Sequence, residues 1–177
     1  MRVCRHAREL VRLLREKWGD RHIAAAEIGV AYGHTANHLL GCLPSLHLTM
    51  IDPWLAFDDC TQEHMDRCFV SAQNVAACYP GRVTIHHSTA AQVAGKIPDG
   101  SLDLVLIDGN HHEEAVAEDI RLWWPKMQPG GLFTGHDYHN KKTPGVAKAV
   151  DAWIAESGYT LEVHPGRLWV VEREARP

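Results

Sequence analysis

"IDGNHHEEAVAEDI" at residues 107–120 and "GGLFTGHDYHN" at residues 130–140 are the two stretches from which the fold prediction starts. In both stretches a short apolar run gives way at once to a carboxylate near histidine. Asp108 ends the first apolar run, and His136 and Asp137 end the second. A short apolar run that stops at polar residues is typical of a buried strand. The pattern therefore predicts two strands whose ends carry acids and histidines.

Outward from these stretches, strand and helix patterns alternate along the chain. Strands are predicted at 22–30, 46–52, 82–87, 102–108 and 132–137, and a closing hairpin at 160–164 and 167–172. Helices are predicted at 2–18, 34–42, 61–79, 90–96, 113–127 and 145–156, with a turn at 129–131. Residues 1–20 hold the first of these helices, which is amphipathic. The alternation predicts an α/β fold: one Rossmann-like, doubly wound, mostly parallel seven-stranded sheet with a C-terminal antiparallel hairpin.

The composition limits the class of protein. A length of 177 residues fits a single domain, residues 1–177, and the apolar fraction of 45% is ordinary for a globular chain. The net charge of −4 offers no basic field for nucleic acid, and no apolar run approaches the ~20 residues of a membrane helix. Five scattered cysteines without a CxxC pair indicate reduced thiols, so we expect a cytoplasmic protein.

The ends of the first two predicted strands have the features of a nucleotide-like binding site. "EIGVAYGHT" places Gly29 two residues after Glu27, and Gly33 at the start of the next helix. Glycine permits a sharp turn and a close approach of the backbone to a ligand, and a helix N-terminus binds anionic groups. Asp52 ends the next strand, where a carboxylate suits the two hydroxyls of a ribose. The alternative is a glycine-rich turn beside a surface acid, but the two features together favour binding.

Three motifs carry a family resemblance: "AEIGVAYGHT", "MIDPW" and "LVLIDGNHHEEAVAEDIRLWWPKMQPGGLFTGHDY". Residues 22 to about 138 resemble the class I S-adenosylmethionine-dependent methyltransferases. They are most similar to the small O-methyltransferases with the motifs IDGxHxYExVxxD and GGxxxxHDY. The resemblance implies the strand order 3-2-1-4-5-7-6. Glu113 stands where the motif has Tyr, and Ser88 stands where the family usually has an acid.

The resemblance also implies roles for individual residues, all of them around S-adenosylmethionine. The methionine part would be held by Glu27, Gly29 and Gly33, and the ribose by Asp52, with Trp54 close by. The adenine edge would contact Ser88 and Thr89, and the sulfonium would lie beside Asp108.

Asp108, His136 and Asp137 are predicted to converge, because the fourth and fifth strands are expected to be neighbours about 4.8 Å apart. Carboxylates with an occasional imidazole suit Mg²⁺ or Mn²⁺, and related O-methyltransferases bind such a cation at these two strand ends. The cation would activate the acceptor oxygen, with His111 as general base beside Asp108. The alternative is structural: Asp108 as a helix cap and His136 as a loop anchor.

The sequence therefore predicts a cation-assisted O-methyltransferase that acts on a small-molecule hydroxyl. Two alternatives remain: a metal-independent methyltransferase with His111 as base, and a non-catalytic cofactor-binding partner subunit. Sugar hydroxyls, phenols and polyketide natural products all fit as acceptors. Little of the chain is left to cover the acceptor, so the site is either open or closed by a second subunit in a homo-oligomer.

Overall fold

The computed structural model describes residues 4–58 and 60–174. The helices are α1 (Arg5–Trp18), α2 (His34–Cys42), α3 (Gln62–Ala77), α4 (Ala90–Ala94), α5 (Glu113–Trp123) and α6 (Pro144–Ser157), and a 3₁₀ turn spans Trp124–Lys126. The strands are β1 (Ile23–Ile28), β2 (Leu46–Asp52), β3 (Val83–His87), β4 (Leu102–Ile107), β5 (Met127–Gly135), β6 (Glu162–His164) and β7 (Leu168–Glu172). The predicted first helix begins at residue 2, so its first two residues lie outside the described part of the chain.

All seven strands belong to one sheet in the order β3-β2-β1-β4-β5-β7-β6. The five strands from β3 to β5 pair in parallel, whereas β7 pairs antiparallel with both β5 and β6. The predicted α/β fold, the strand order and the C-terminal antiparallel hairpin are therefore confirmed. The strand order reverses between β1 and β4, and ligands of such sheets bind at the carboxyl ends of the strands beside this reversal.

The hydrophobic core has two layers, one on each face of the sheet. Leu104 and Leu106 of β4 pack with α1, α2 and α3, whereas Val105 and Ile107 pack with α4, α5 and α6. Successive side chains of a strand point to opposite faces, so both faces of β4 are buried and its sequence reads as a continuous apolar run. In the described part of the chain, no helix is long and apolar enough to cross a membrane.

Residues 129–131 do not form the turn that the sequence predicts, because β5 runs through them from Met127 to Gly135. Leu102 pairs with Met127 and Leu104 pairs with Leu132, so two steps along β4 correspond to five along β5. The additional residues form a bulge, in which Gly130 has φ +78° and donates its amide to the Arg173 carbonyl (2.6 Å). Gly130 permits the positive φ of the bulge, and Gly131 has no Cβ to collide with Met127. The strand regains its register with β4 before it reaches the site.

Candidate active site

Gly29 joins the carboxyl ends of β1 and β4. Its φ is +85°, and an added Cβ would lie 2.3 Å from the Gly109 Cα atom. The Gly29 amide donates to the Ile51 carbonyl (2.9 Å), and the Asp108 amide donates to the Ile28 carbonyl (2.8 Å). Only glycine fits both this backbone conformation and this close approach. The predicted turn therefore lies directly against the loop that carries Asp108.

Gly33 ends the same turn and precedes the first residue of α2. It has φ +75°, and its amide donates to the Val30 carbonyl at 2.8 Å. It has no side chain with which to cap α2, so amides of the first helical turn remain available to an anionic group. The prediction that Gly33 faces the cofactor remains open, but its position is suitable.

Glu27 is buried in β1, two residues before Gly29, and its Oε2 atom has no hydrogen-bond partner. Burial raises the pKa of its carboxyl well above the ordinary value, and the nearby carboxylates Asp108 and Asp52 raise it further. A buried acceptor without a donor is costly to maintain unless a ligand satisfies it. A cationic group of a ligand placed beside Glu27 would favour the carboxylate, and Oε2 could then accept a hydrogen bond from that group.

Asp52 is buried at the end of β2, and its carboxylate accepts three backbone hydrogen bonds. Oδ2 accepts from the amides of Val30 and Ala31, both at 2.9 Å, and Oδ1 accepts from the amide of Trp54 at 2.7 Å. A carboxylate has about four acceptor positions, so one on Oδ1 remains for a ligand. The sequence predicts that Asp52 binds the two hydroxyls of a ribose. In the structure, its three hydrogen bonds hold the turn after β1.

Trp54 is fully buried, and it packs against Phe69 (ring centroids 4.8 Å apart) and edge-on to His87 (5.5 Å). Its indole Nε1 donates to the carbonyl of Ala31 at 3.0 Å. Trp54 therefore supports the turn after β1 from the core side.

Ser88 and Thr89 lie after β3 at the same edge of the sheet. Thr89 caps α4 in a reciprocal capping box with Gln92, and the Ser88 hydroxyl donates to Gln92 Oε1 at 2.7 Å. The Ser88 amide donates to the carbonyl of Asp52 at 3.1 Å. Both hydroxyls thus have partners within the chain. The contact of Ser88 and Thr89 with the adenine edge stays a prediction.

Asp108, His111 and Asp137 converge at the carboxyl ends of β4 and β5. His111 Nε2 lies 3.8 Å from Asp108 Oδ1 and 3.3 Å from Asp137 Oδ2, and this nitrogen has no hydrogen bond of good geometry. One ligand atom from each of the three residues lies within 4.8 Å of the other two. The N-cap of α5 is His112, so Asp108 does not serve as the cap considered in the sequence analysis.

His136 lies between the two acids, with its Nδ1 3.2 Å from Asp108 Oδ1 and 3.6 Å from Asp137 Oδ1. Burial disfavours the imidazolium, but the hydrogen bond to Asp108 and the charges of Asp108 and Asp137 together outweigh burial and raise the pKa of His136. Burial also opposes ionisation of Asp108. The nearby imidazoles of His111 and His136 together outweigh burial, so the pKa of Asp108 is lowered. Asp108 is therefore ionised at neutral pH and carries much of the negative charge of the site.

Two residues that hold Asp137 were missed in the sequence analysis. Asn140 Nδ2 and Arg167 Nη1 both donate to Asp137 Oδ1, at 2.9 and 3.1 Å. Asp137 itself has φ +60°, a conformation that Asp tolerates better than most residues. These contacts fix the carboxylate and leave Oδ2 facing His111.

A third missed residue, His6, enters the site from α1. It is buried, its Nε2 lies 3.0 Å from Thr35 Oγ1, and its ring centroid lies 3.9 Å from that of His136. His6 precedes Leu10 and Leu14 by four and eight residues, so helical spacing alone places it on the buried face of α1. Burial lowers the pKa of His6, and the neighbouring His136 lowers it further. His6 is accordingly a neutral imidazole.

The sheet order and a ligand-binding edge at the strand reversal define a class I methyltransferase fold. The profile of the methyltransferase domain family matches residues 26–138, and the chain belongs to this family. The resemblance to class I S-adenosylmethionine-dependent methyltransferases is thereby confirmed. No curated protein matches the chain significantly in sequence.

Solved structures agree with this fold. A protein from Corynebacterium glutamicum shares 22% identity, with a TM-score of 0.71 over 97% of this chain and 81% of its own. The O-methyltransferase NovP shares 18% identity, with a TM-score of 0.71 over 96% of this chain and 80% of its own. TomG from Streptomyces achromogenes, an O-methyltransferase of tomaymycin synthesis solved with S-adenosylmethionine, shares 15% identity, with a TM-score of 0.67 over 96% and 79%.

Proposed function

We propose that this chain, as a single domain of residues 1–177, transfers the methyl group of S-adenosylmethionine to a hydroxyl of a small molecule. The observation that carries the proposal is the group Asp108, His111 and Asp137, whose ligand atoms lie within 4.8 Å of one another. This group adjoins the Gly29 turn, because Gly29 packs directly on Asp108 and Gly109. Two reactants held side by side at this edge suit an in-line displacement, in which positioning supplies much of the rate.

The turn after β1 fits the cofactor. The unpartnered Oε2 of buried Glu27 provides an acceptor for the ammonium of the methionine part, and the amides at the start of α2 suit its carboxylate. The remaining acceptor position of Asp52 fits one ribose hydroxyl. Gly29 and Gly33 give the turn its shape, and the cofactor would lie against that turn. Bound there, S-adenosylmethionine supplies the methyl group on its sulfonium.

Asp108, His111 and Asp137 also fit a divalent cation of the Mg²⁺ or Mn²⁺ class, because two carboxylates and one imidazole are suitable ligands for it. This set differs from the predicted one, since His111 takes the place of His136. A cation bound there would lower the pKa of the acceptor hydroxyl. Asp108 and Asp137 would hold the cation. If His111 is not itself a ligand, it would take the proton of the acceptor hydroxyl at Nε2 as the C–S bond breaks and the C–O bond forms.

A metal-independent methyltransferase is the second candidate, and a specific observation favours it. Each acid already has a cationic partner in the chain. His136, whose pKa is raised, lies beside Asp108, and Arg167 lies beside Asp137. In this alternative His136 and Arg167 position Asp108 and Asp137, and His111 acts as general base without a metal.

A non-catalytic cofactor-binding subunit is the third candidate. It requires cofactor binding without any turnover.

The test is methyl transfer from labelled S-adenosylmethionine to a panel of sugar, phenol and polyketide hydroxyls, with Mg²⁺, with Mn²⁺ and with EDTA. We expect transfer that EDTA abolishes, and Asp108→Asn and Asp137→Asn each to abolish cation binding and turnover while the fold persists. Asp20→Asn, an exposed acid between α1 and β1, is the matched control. Full activity in EDTA would favour the metal-independent candidate, and cofactor binding without turnover of any acceptor would favour the partner subunit.

We also propose a compartment, a class of partner and an oligomeric state for the protein. The five cysteines are free thiols, which suits a reducing compartment such as the cytoplasm. The net charge of −4 disfavours a nucleic-acid partner. A homo-oligomer would close the acceptor side of the site, and light scattering of the purified chain measures this directly.

A further inference from the structure

We propose that His6, Asp108 and His136 form a second cation position, suited to a borderline transition-metal ion such as Zn²⁺ or Co²⁺. It shares the Asp108 carboxylate with the position of Asp108, His111 and Asp137. The inference rests on the geometry around His6 and does not require that the chain transfer methyl groups.

The spacing of the ligand atoms supports this position. One ligand atom from each of the three residues lies within 4.8 Å of the other two, and His136 Nδ1 lies 3.2 Å from Asp108 Oδ1. Nitrogen and oxygen ligands about 2.0–2.2 Å from a tetrahedral zinc ion lie roughly 3.3–3.6 Å from each other. The distance between His136 and Asp108 is close to these values, and the two separations that involve His6 are at most 4.8 Å. A small movement of the His6 side chain would bring all three ligand atoms to a single ion.

Groups outside the cluster contact both imidazoles. Nε2 of His6 lies 3.0 Å from the Thr35 hydroxyl, and the backbone of Gly166 lies near the His136 ring. In metal sites, a ligating histidine usually has its other ring nitrogen fixed by an outer partner, as Thr35 fixes that of His6. Gly166 also packs against His6, since a Cβ on Gly166 would lie 2.5 Å from the His6 amide nitrogen. The β6–β7 turn thus packs against both histidines.

The chemistry of the ligands distinguishes this position from the one beside it. Two imidazoles with one carboxylate favour ions such as Zn²⁺, Co²⁺ or Fe²⁺, whereas two carboxylates with one imidazole also accept Mg²⁺ and Mn²⁺. His6 is buried, so an ion held there would also tie α1 to the ends of β4 and β5. Bound metal should therefore stabilise the folded chain by mass action.

The experiment is a titration of the full chain with Co²⁺ in the absence of S-adenosylmethionine, followed by its visible absorption and by the thermal melt. We expect tight Co²⁺ binding by the wild type, and affinity about 10–100-fold lower for His6→Ala and for His136→Ala. His111→Ala should keep the tight Co²⁺ binding step, since His111 belongs only to the neighbouring position, and should lose at most a weaker second step. His38→Ala is a further control, because His38 lies near the thiol of Cys42 (3.8 Å) and the two could also bind cobalt as a pair of ligands.

Melts in EDTA show whether each variant is folded, and His136→Ala tests the position should His6→Ala fail to fold. Three results would overturn the inference: no Co²⁺ binding by the wild type, unchanged binding by folded His6→Ala and His136→Ala, or loss of binding by His111→Ala alone. A thiolate-to-cobalt band that disappears in His38→Ala would do the same. A failure of the proposed methyl transfer can be distinguished from a failure of this inference. Methyl transfer is measured with the acceptor panel and with Asp137→Asn, whereas the second cation position is measured by Co²⁺ binding to His6→Ala and His136→Ala.

Discussion

His111 Nε2 lies 3.3 Å from Asp137 Oδ2 and 3.8 Å from Asp108 Oδ1, so one imidazole spans the carboxylates that end two neighbouring strands. The nitrogen has no hydrogen bond of good geometry in this position. A group poised between two acids can take a proton or bind a cation. The two roles give different responses to pH and to metal.

His111→Ala should lower kcat by about 10²–10⁴-fold while the affinity for S-adenosylmethionine hardly changes, because His111 is on the acceptor side of the site. If His111 is the base, the loss should shrink at high pH, where the acceptor ionises unaided. If it is a metal ligand, excess metal should restore the rate. His112→Ala is the matched control, since His112 is an exposed neighbour near Asp58. A fully active and stable His111→Ala enzyme would remove this residue from the mechanism.

Asp52→Asn should lower the free energy of unfolding by about 1–3 kcal/mol even without cofactor. The Asp52 carboxylate accepts three backbone amides, and an Asn amide would turn a donor towards at least one of them. Urea denaturation with and without S-adenosylmethionine measures both effects. If Asp52 served only the ribose, the cofactor-free variant would be as stable as the wild type.

Gly29→Ala should cost more than about 3 kcal/mol, because it combines a positive φ with a Cβ placed 2.3 Å from a backbone atom of Gly109. Gly158→Ala is the control: Gly158 has φ +71°, but an added Cβ there would meet nothing within 4 Å. Its cost should be only about 1 kcal/mol. Equal losses for the two variants in thermal or chemical denaturation would show that the contact between the β1 and β4 ends is not tight.

Asp119 on α5 should make stability depend on pH. Burial, together with the neighbouring Glu118, raises the pKa of its carboxyl from 3.8 to about 7. The unfolded chain loses this proton near pH 4 and the folded chain near pH 7, so the free energy of unfolding falls as pH rises between these values. Asp119→Asn should remove the fall and be more stable than the wild type by about 1–3 kcal/mol at pH 8, with little difference at pH 4. Glu118→Gln should reduce the fall without removing it, because burial is the larger cause of the raised pKa. An unchanged pH profile for Asp119→Asn would contradict the account.

Local sequence patterns predicted the sheet and the edge where the site lies. Apolar runs that end at or near Glu27, Asp52 or Asp108 indicate strands that are buried on both faces of a parallel sheet. Such runs can be recognised from adjacent residues alone. The prediction failed at residues 129–131, because a Pro-Gly-Gly run favours a turn and a β-bulge equally well. Only the pairing of β5 with β4 and β7 decides between them.

The remaining parts of the site depend on contacts between residues far apart in the chain. His6 packs on His136 from the other end of the sequence, and Arg167 reaches Asp137 from the β6–β7 turn. Helical spacing could have placed His6 on the buried face of α1, but it does not show which strand end His6 contacts. Trp54 and Asp52 were assigned to the cofactor by resemblance. Their hydrogen bonds to the turn after β1 require a register that the sequence does not reveal.

Calorimetric titration with S-adenosylmethionine tests the central claim most directly, because it requires no knowledge of the acceptor. We predict that one molecule binds per chain, and that Glu27→Gln weakens binding by about 1.5–3 kcal/mol through loss of a charged acceptor. Glu27→Gln should nevertheless be at least as stable as the wild type, since it removes a buried carboxyl that lacks a partner. No binding by the folded wild-type chain, or equal affinity in the two proteins, would contradict the account.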